Sequence, residues 1–117
     1  MNEDRLYLSH ILGCIERIQE YTQGDRDLFF RSSLVQDGVL RNLEVIGEAT
    51  KQISTDTRTR YSQVPWRRMA GMRDMLIHNY LGVDLNRVWN VVASSLVPLK
   101  AQIQAILREL EQPPHSE

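Results

Sequence analysis

Apolar residues recur at steps of three and four along almost the whole chain, and no stretch alternates over a useful length as a half-buried strand would. The pattern predicts an all-α protein. The first helix is expected from about Glu3 to Tyr21, with Tyr7, Ile11, Cys14, Ile15 and Ile18 on one face and Glu16, Arg17 and Glu20 mostly outside. Gln23-Gly24-Asp25 supplies its stop. Asp27 is placed to cap a short turn through Leu28, Phe29 and Phe30. Ser32 or Ser33 can cap a second long helix reaching about Ile53, along the stripe Val35, Val39, Leu43, Ile46, Ala49 and Ile53.

Ser54 to Pro65 is rich in Ser, Thr and Arg, which predicts a connection holding about one helical turn. Pro65 suits the first turn of a third helix, where its missing N–H has no intrahelical use, and that helix is expected to run unbroken to about Tyr80. Gly82 can end it in a left-handed conformation, and Asp84 or Asn86 can start a fourth. The fourth helix has the strongest pattern: Leu85, Val88, Val92, Leu96, Leu99, Ile103, Ile106 and Leu110 follow the steps without a miss. Pro98 should kink it, and Pro113 with Pro114 should stop it. Four amphipathic helices with a short extra turn or two make an antiparallel four-helix-type bundle.

A chain of 117 residues, 42% hydrophobic and 25% charged, is the size and mix of one soluble domain. We expect residues 1–112 to form that domain and 113–117 a short flexible tail. No apolar run approaches the roughly 20 residues that cross a bilayer, and Met1-Asn2-Glu3-Asp4 opens acidic, so no membrane association and a cytoplasmic location are expected. Cys14 stands alone, which excludes an internal disulfide, and its spacing with Ile11, Ile15 and Ile18 predicts a buried thiol. The formal net charge of −1 argues against a protein that coats nucleic acid over its whole surface. Local charge differs: Arg58, Arg60, Arg67, Arg68 and Arg73 fall in one stretch with no Asp or Glu among them, a candidate RNA-binding patch. A solvated face with arginine stems lying over apolar neighbours is the other reading of that run.

The stretch feeds into Arg73-Asp74-Met75-Leu76-Ile77-His78-Asn79-Tyr80. A guanidinium that keeps its charge, an imidazole that titrates near neutrality and a phenol suit the handling of a phosphodiester. In an unbroken α-helix Arg73 and His78 would lie about 140° apart around the axis and about 7.5 Å along it. Arg73 and Tyr80 would lie nearly in line, while Asp74 and His78 would be direct neighbours, making Asp74 a candidate to orient the imidazole. One helix cannot surround a phosphate, so a homodimer with both motifs facing a shared groove is expected. Metal-free RNA cleavage needs a base for the ribose 2′-hydroxyl, an acid for the leaving 5′-oxygen and a cation for the phosphoryl oxygens. One histidine from each protomer could divide the first two tasks, and Arg73 suits the third. The same residues near a helix end could instead cap carbonyls and favour the helix dipole.

No metal site is expected. His10, His78 and His115 fall in different segments without ligand spacing, and there is no Gly-rich phosphate loop or Gly-x-Ser-x-Gly turn. Glu44 and Glu48, four apart, could hold a metal, but an outward face salted with Arg41 and Lys51 accounts for them better.

The Arg73-to-Tyr80 run, the stretch Leu43-Glu44-Val45-Ile46-Gly47-Glu48-Ala49 and the lead-in Val64-Pro65-Trp66 carry a resemblance that runs nearly end to end. The chain resembles the HepT-like toxins of the HEPN superfamily, small all-helical proteins encoded beside a minimal nucleotidyltransferase, MntA. The resemblance implies an HEPN-like bundle and a metal-independent ribonuclease toxin of a toxin–antitoxin pair. It implies a dimer with Arg73 and His78 as catalytic residues, and tRNA among the substrates. It also implies neutralisation by the MntA-like partner, which moves AMP from ATP to the motif tyrosine, here Tyr80. The chain itself then needs no cofactor. Adding a phosphate beside Arg73 would neutralise the cation and block the groove. The competing reading is a non-catalytic helical subunit that binds nucleotide or partner for such a nucleotidyltransferase.

Overall fold

The computed structural model describes residues 2–74, 82 and 84–111, and within them every regular element is helical. Helix α1 spans Asn2–Thr22, α2 Arg26–Arg31, α3 Ser33–Thr50, α4 Thr55–Arg60 and α5 Trp66–Ala70. A 3₁₀ turn, Gly71–Arg73, follows α5 directly. Beyond the undescribed stretch come α6, Leu85–Asn90, a π turn at Val91–Ser95 and α7, Leu96–Glu111. The protein is an all-α bundle of the HEPN-like type. No described helix is long and apolar enough to cross a membrane.

Pairings across the bundle show the direction of its helices. Arg17 Nε donates to Asn42 Oδ1 at 3.2 Å, while the start of α1 is tied to the far end of α3, where Ser54 N donates to Asp4 Oδ1 at 2.9 Å. Helix α1 is therefore antiparallel to α3. It is antiparallel to α7 as well: Lys100 Nζ donates to Gln19 Oε1 at 3.1 Å, and Arg5 pairs with Glu111 at 3.7 Å. Leu8, Ile11, Cys14, Ile15 and Ile18 of α1 are fully buried against Val39, Leu43 and Ile46 of α3 and Leu96, Leu99 and Ile103 from the last helix. These are the expected stripes, except that Leu8 is buried at the start of α1 where Tyr7 was expected, and Tyr7 is half-buried. Cys14 is fully buried, and burial raises its thiol above the ordinary range despite a contact from the Arg17 guanidinium.

Local expectations hold with particular corrections. Asp25, not Asp27, caps α2, accepting from Leu28 N at 3.1 Å; Asp27 lies two residues too late and falls inside the first turn. Phe29 then anchors α2 in the core, with its ring 5.4 Å from that of Trp89. Ser32 caps α3, which ends at Thr50 rather than Ile53. Arg58 closes that end, its guanidinium donating to Thr50 O at 2.8 Å and Ile53 O at 3.2 Å. Ser54 caps α4 and Asp84 caps α6.

Two breaks change the longer helices. Expected as unbroken from Pro65 or Trp66, the third helix starts at Trp66 and tightens into the 3₁₀ turn at Gly71, a residue about 1 kcal/mol less favourable than alanine inside a helix. Pro65 stands just outside that helix as its N-cap. In the last helix, the disturbance from Pro98 takes the form of a π turn on its N-terminal side, with Leu96 N donating to Val91 O. Gly82 has φ 121°, a conformation costly for any residue with a side chain.

Candidate functional site

Arg73 closes the 3₁₀ turn after α5. Trp66, Met69 and Met72 are buried, and the Trp66 indole donates to Tyr61 O at 3.0 Å, so the short α5 is nailed to the bundle at both ends. Its other anchor is a glycine. A β-carbon on Gly47 would lie 2.8 Å from Arg73 N and 3.0 Å from Ala70 O, closer than a side chain tolerates. The missing side chain lets α3 press directly on the backbone that carries Arg73. One residue further along α3, Glu48 Oε2 stands 3.1 Å from Arg73 Nε. That nitrogen is shielded from solvent, yet the carboxylate lies off its N–H axis, so the contact is an ion pair without an aligned hydrogen bond. The arginine side chain as a whole keeps 29% exposure. Charge is held in place here without being sealed away.

The remaining expected site residues are spread out. Asp74 is exposed and directly follows the 3₁₀ turn. Arg58 is occupied with the carbonyls that end α3, and Arg60 pairs with Glu109 at 3.5 Å across from α7. Arg67 and Arg68 are exposed on α5. Of the five arginines, Arg58, Arg60 and Arg73 are thus engaged with other groups of the bundle. His78 and Tyr80 lie outside the described residues, so the angular relations expected for Arg73-x4-His78-x-Tyr80 have no counterpart here. The part that is described already departs from the unbroken α-helix on which those angles rest.

Two grooves flank this region. One, of about 530 Å³, lies between the α5 stretch and the last helix, with Arg68, Met72 and Asp74 on one wall and Arg87, Val91 and Leu99 on the other. The second, of about 460 Å³, lies between α1 and α3 and includes Tyr7, His10, Arg41, Glu44 and Glu48. Arg41 pairs with Glu44 at 3.7 Å on the surface face, as expected, whereas the partner of Glu48 is Arg73 rather than Arg41 or Lys51. Among the described residues no group of three His, Cys, Asp or Glu side chains is placed to hold a metal ion.

Sequence reasoning missed Arg87. Its signal was the four-residue step through Val91, Ser95 and Leu99, which sets one basic residue at the end of a row that lines the groove.

The model of the ribonuclease HepT-like family matches residues 11–106. The chain belongs to this family. A "Probable ribonuclease HepT" of Thermococcus cleftensis is 40% identical over 86% of this chain and 92% of its own length. A "Putative RNase" of Caldanaerobacter subterraneus subsp. tengcongensis is 36% identical over 93% of this chain and 98% of its own. A Methanocaldococcus jannaschii protein named as a gamma-glutamylcyclotransferase and putative RNase is 45% identical over 92% of this chain; here the chain spans only 49% of the relative. No solved structure matches the chain. For a HepT-like chain, the fixed arginine is the described end of the Arg73-to-Tyr80 motif.

Proposed function

We propose that this HepT-like chain is a metal-independent endoribonuclease toxin, acting as a homodimer on RNA, with tRNA the substrate class the resemblance favours. The observation that carries the reading is the treatment of Arg73: Gly47 fixes its backbone and Glu48 holds its guanidinium, while the side chain stays partly open. An arginine restrained in this way suits electrostatic stabilisation, which gains from charge already in place before the reaction begins.

In the proposed reaction a His78 imidazole takes the proton of a ribose 2′-hydroxyl. The 2′-oxygen bonds to phosphorus, the bond from phosphorus to the 5′-oxygen breaks, and a second His78, from the partner protomer, protonates the leaving oxygen. Arg73 meets the charge growing on the phosphoryl oxygens. Asp74 orients the imidazole. The attacking group belongs to ribose, so DNA is spared. AMP transfer to Tyr80 by an MntA-like nucleotidyltransferase, which uses ATP, turns the toxin off by adding negative charge beside Arg73.

The test is RNA cleavage by the purified chain in EDTA. Wild type should cut, and His78→Ala should be silent with an unchanged circular dichroism spectrum. Cleavage by that variant, or a requirement for added divalent metal, would refute the mechanism. Co-expression with the neighbouring nucleotidyltransferase should add an adenylyl mass to wild type and not to Tyr80→Phe.

A further inference from the structure

The groove between the α5 stretch and the last helix has a chemistry of its own. Its walls bring two arginines together from segments far apart in sequence, Arg68 on α5 and Arg87 on α6, against the single carboxylate of Asp74. Both arginines are exposed, and among the described residues neither has a carboxylate within ion-pair distance. The floor is apolar, with Met72 and Leu99 buried. Guanidinium planes fork phosphate oxygens and stack on bases, while an apolar floor accepts a base face. A groove of about 530 Å³ is in the range that seats a small ligand, and it is too small for a folded partner.

The last helix is shaped for this wall. In an α-helix each four-residue step overshoots a full turn by about 40°, so a row at such steps drifts round the axis. Arg87, Val91, Ser95 and Leu99 are such a row, and all line the groove. The π turn at Val91–Ser95 lies in its middle. Its wider turn holds more residues, which opposes the drift and keeps the row on one side. Met72 and Asp74, the two neighbours of Arg73, also line the groove, so it lies one residue from the proposed cleavage site. The α1–α3 groove is less suited to an anion, because Glu44 and Glu48 outnumber Arg41.

We infer that this groove is an RNA subsite that seats one unpaired nucleotide next to the cleaved bond, with Arg68 and Arg87 on its phosphates. The inference rests on the ribonuclease reading and adds Arg87 to the substrate-binding residues.

The experiment measures binding of a fluorescent single-stranded 2′-O-methyl oligoribonucleotide, which lacks the attacking hydroxyl, to the full chain over a range of salt. Arg68→Ala and Arg87→Ala should each weaken binding roughly tenfold and lower the salt slope by about 0.7, while the same change at Arg108, exposed on α7, should do neither. Unchanged affinity in Arg87→Ala overturns the subsite, as does an absence of binding by wild type. A change of mass in analytical ultracentrifugation with RNA affinity unaltered also overturns it, and gives the groove to a second copy of the chain. Cleavage of ordinary RNA separates the two proposals. Cutting with an unaltered KM in Arg87→Ala sinks the subsite and leaves the nuclease standing. Arginine-dependent binding without any cutting does the reverse.

Discussion

Gly47 and Arg73 approach so closely that a β-carbon on the glycine would stand 2.8 Å from the arginine's peptide nitrogen and 3.0 Å from the arginine's own β-carbon. The contact joins the last turn of α3 to the last residue of the 3₁₀ turn, two segments that share no hydrogen-bonded ladder. Glu48 then adds its carboxylate at 3.1 Å. Two adjacent residues in the last turn of α3 therefore set both the backbone and the side chain of Arg73.

Gly47→Ala should show how much of that aim depends on close approach. Alanine favours a helix interior over glycine by about 0.5–1 kcal/mol. The obstructing atoms are backbone, however, and cannot swing aside, so overpacking of about 1–3 kcal/mol should outweigh the gain. We expect a net loss in chemical denaturation and a larger fall in RNA cleavage than the residual folded fraction explains. A variant as stable and as active as wild type would mean that the contact relaxes without consequence.

Asp4 makes a pH prediction. The carboxylate is 2% exposed and accepts from Ser54 N, Ser54 Oγ and Thr57 Oγ1. Burial alone would raise it, but these hydrogen bonds outweigh burial and hold it below its ordinary value. With a folded value under the unfolded one of about 3.9, its contribution is complete above that pH and drains away as pH falls through the folded value. Asp4→Asn should cost about 1–3 kcal/mol at neutral pH. The gap between variant and wild type should narrow below about pH 4, where wild type approaches a neutral carboxyl. A gap independent of pH would show that the charge of Asp4 does not matter.

Cys14 should be inert in the native protein. It is fully buried, and burial raises its thiol, so little thiolate is present and no reagent reaches it. A colorimetric disulfide reagent at pH 8 should react only as fast as the chain opens, and at once in denaturant. Rapid native reaction would contradict the packing of α1.

The long stripes were legible because a period of 3.6 repeats over many turns: the rows of α1, α3 and the last helix point inward as their spacing indicates. What stayed hidden depends on contacts between distant residues. Nothing near Arg58 shows that its guanidinium will end α3, so its place in a basic run made it look free for RNA. Asp4 read as part of an acidic opening, although its partners lie 50 and 53 residues away. Pro98 predicted a kink; the described irregularity is a π turn at Val91–Ser95, a form that a missing N–H does not specify. The importance of Gly47 was present only as a letter in a familiar stretch, because a side chain's absence matters only once its neighbour is known.

The pairing of Arg73 with Glu48 allows a test that separates charge from aim. Arg73→Lys keeps the positive charge but loses the Nε that faces Glu48 and the planar fork that takes two phosphate oxygens. Glu48→Gln keeps the shape and removes the carboxylate. Both positions are partly exposed, so each change should alter stability by less than about 1 kcal/mol. Arg73→Lys should lower kcat at least about tenfold, about 1.4 kcal/mol of transition-state stabilisation. As a positioning residue, Glu48 should also act on kcat. Its loss should leave KM level or lower, since one negative charge near the RNA has gone. If Glu48 works only through Arg73, adding Glu48→Gln to Arg73→Lys should cost little more than the lysine alone. Multiplicative losses in the double variant, or a rise in KM from Glu48→Gln alone, would show instead that the carboxylate touches substrate or fold independently of the arginine.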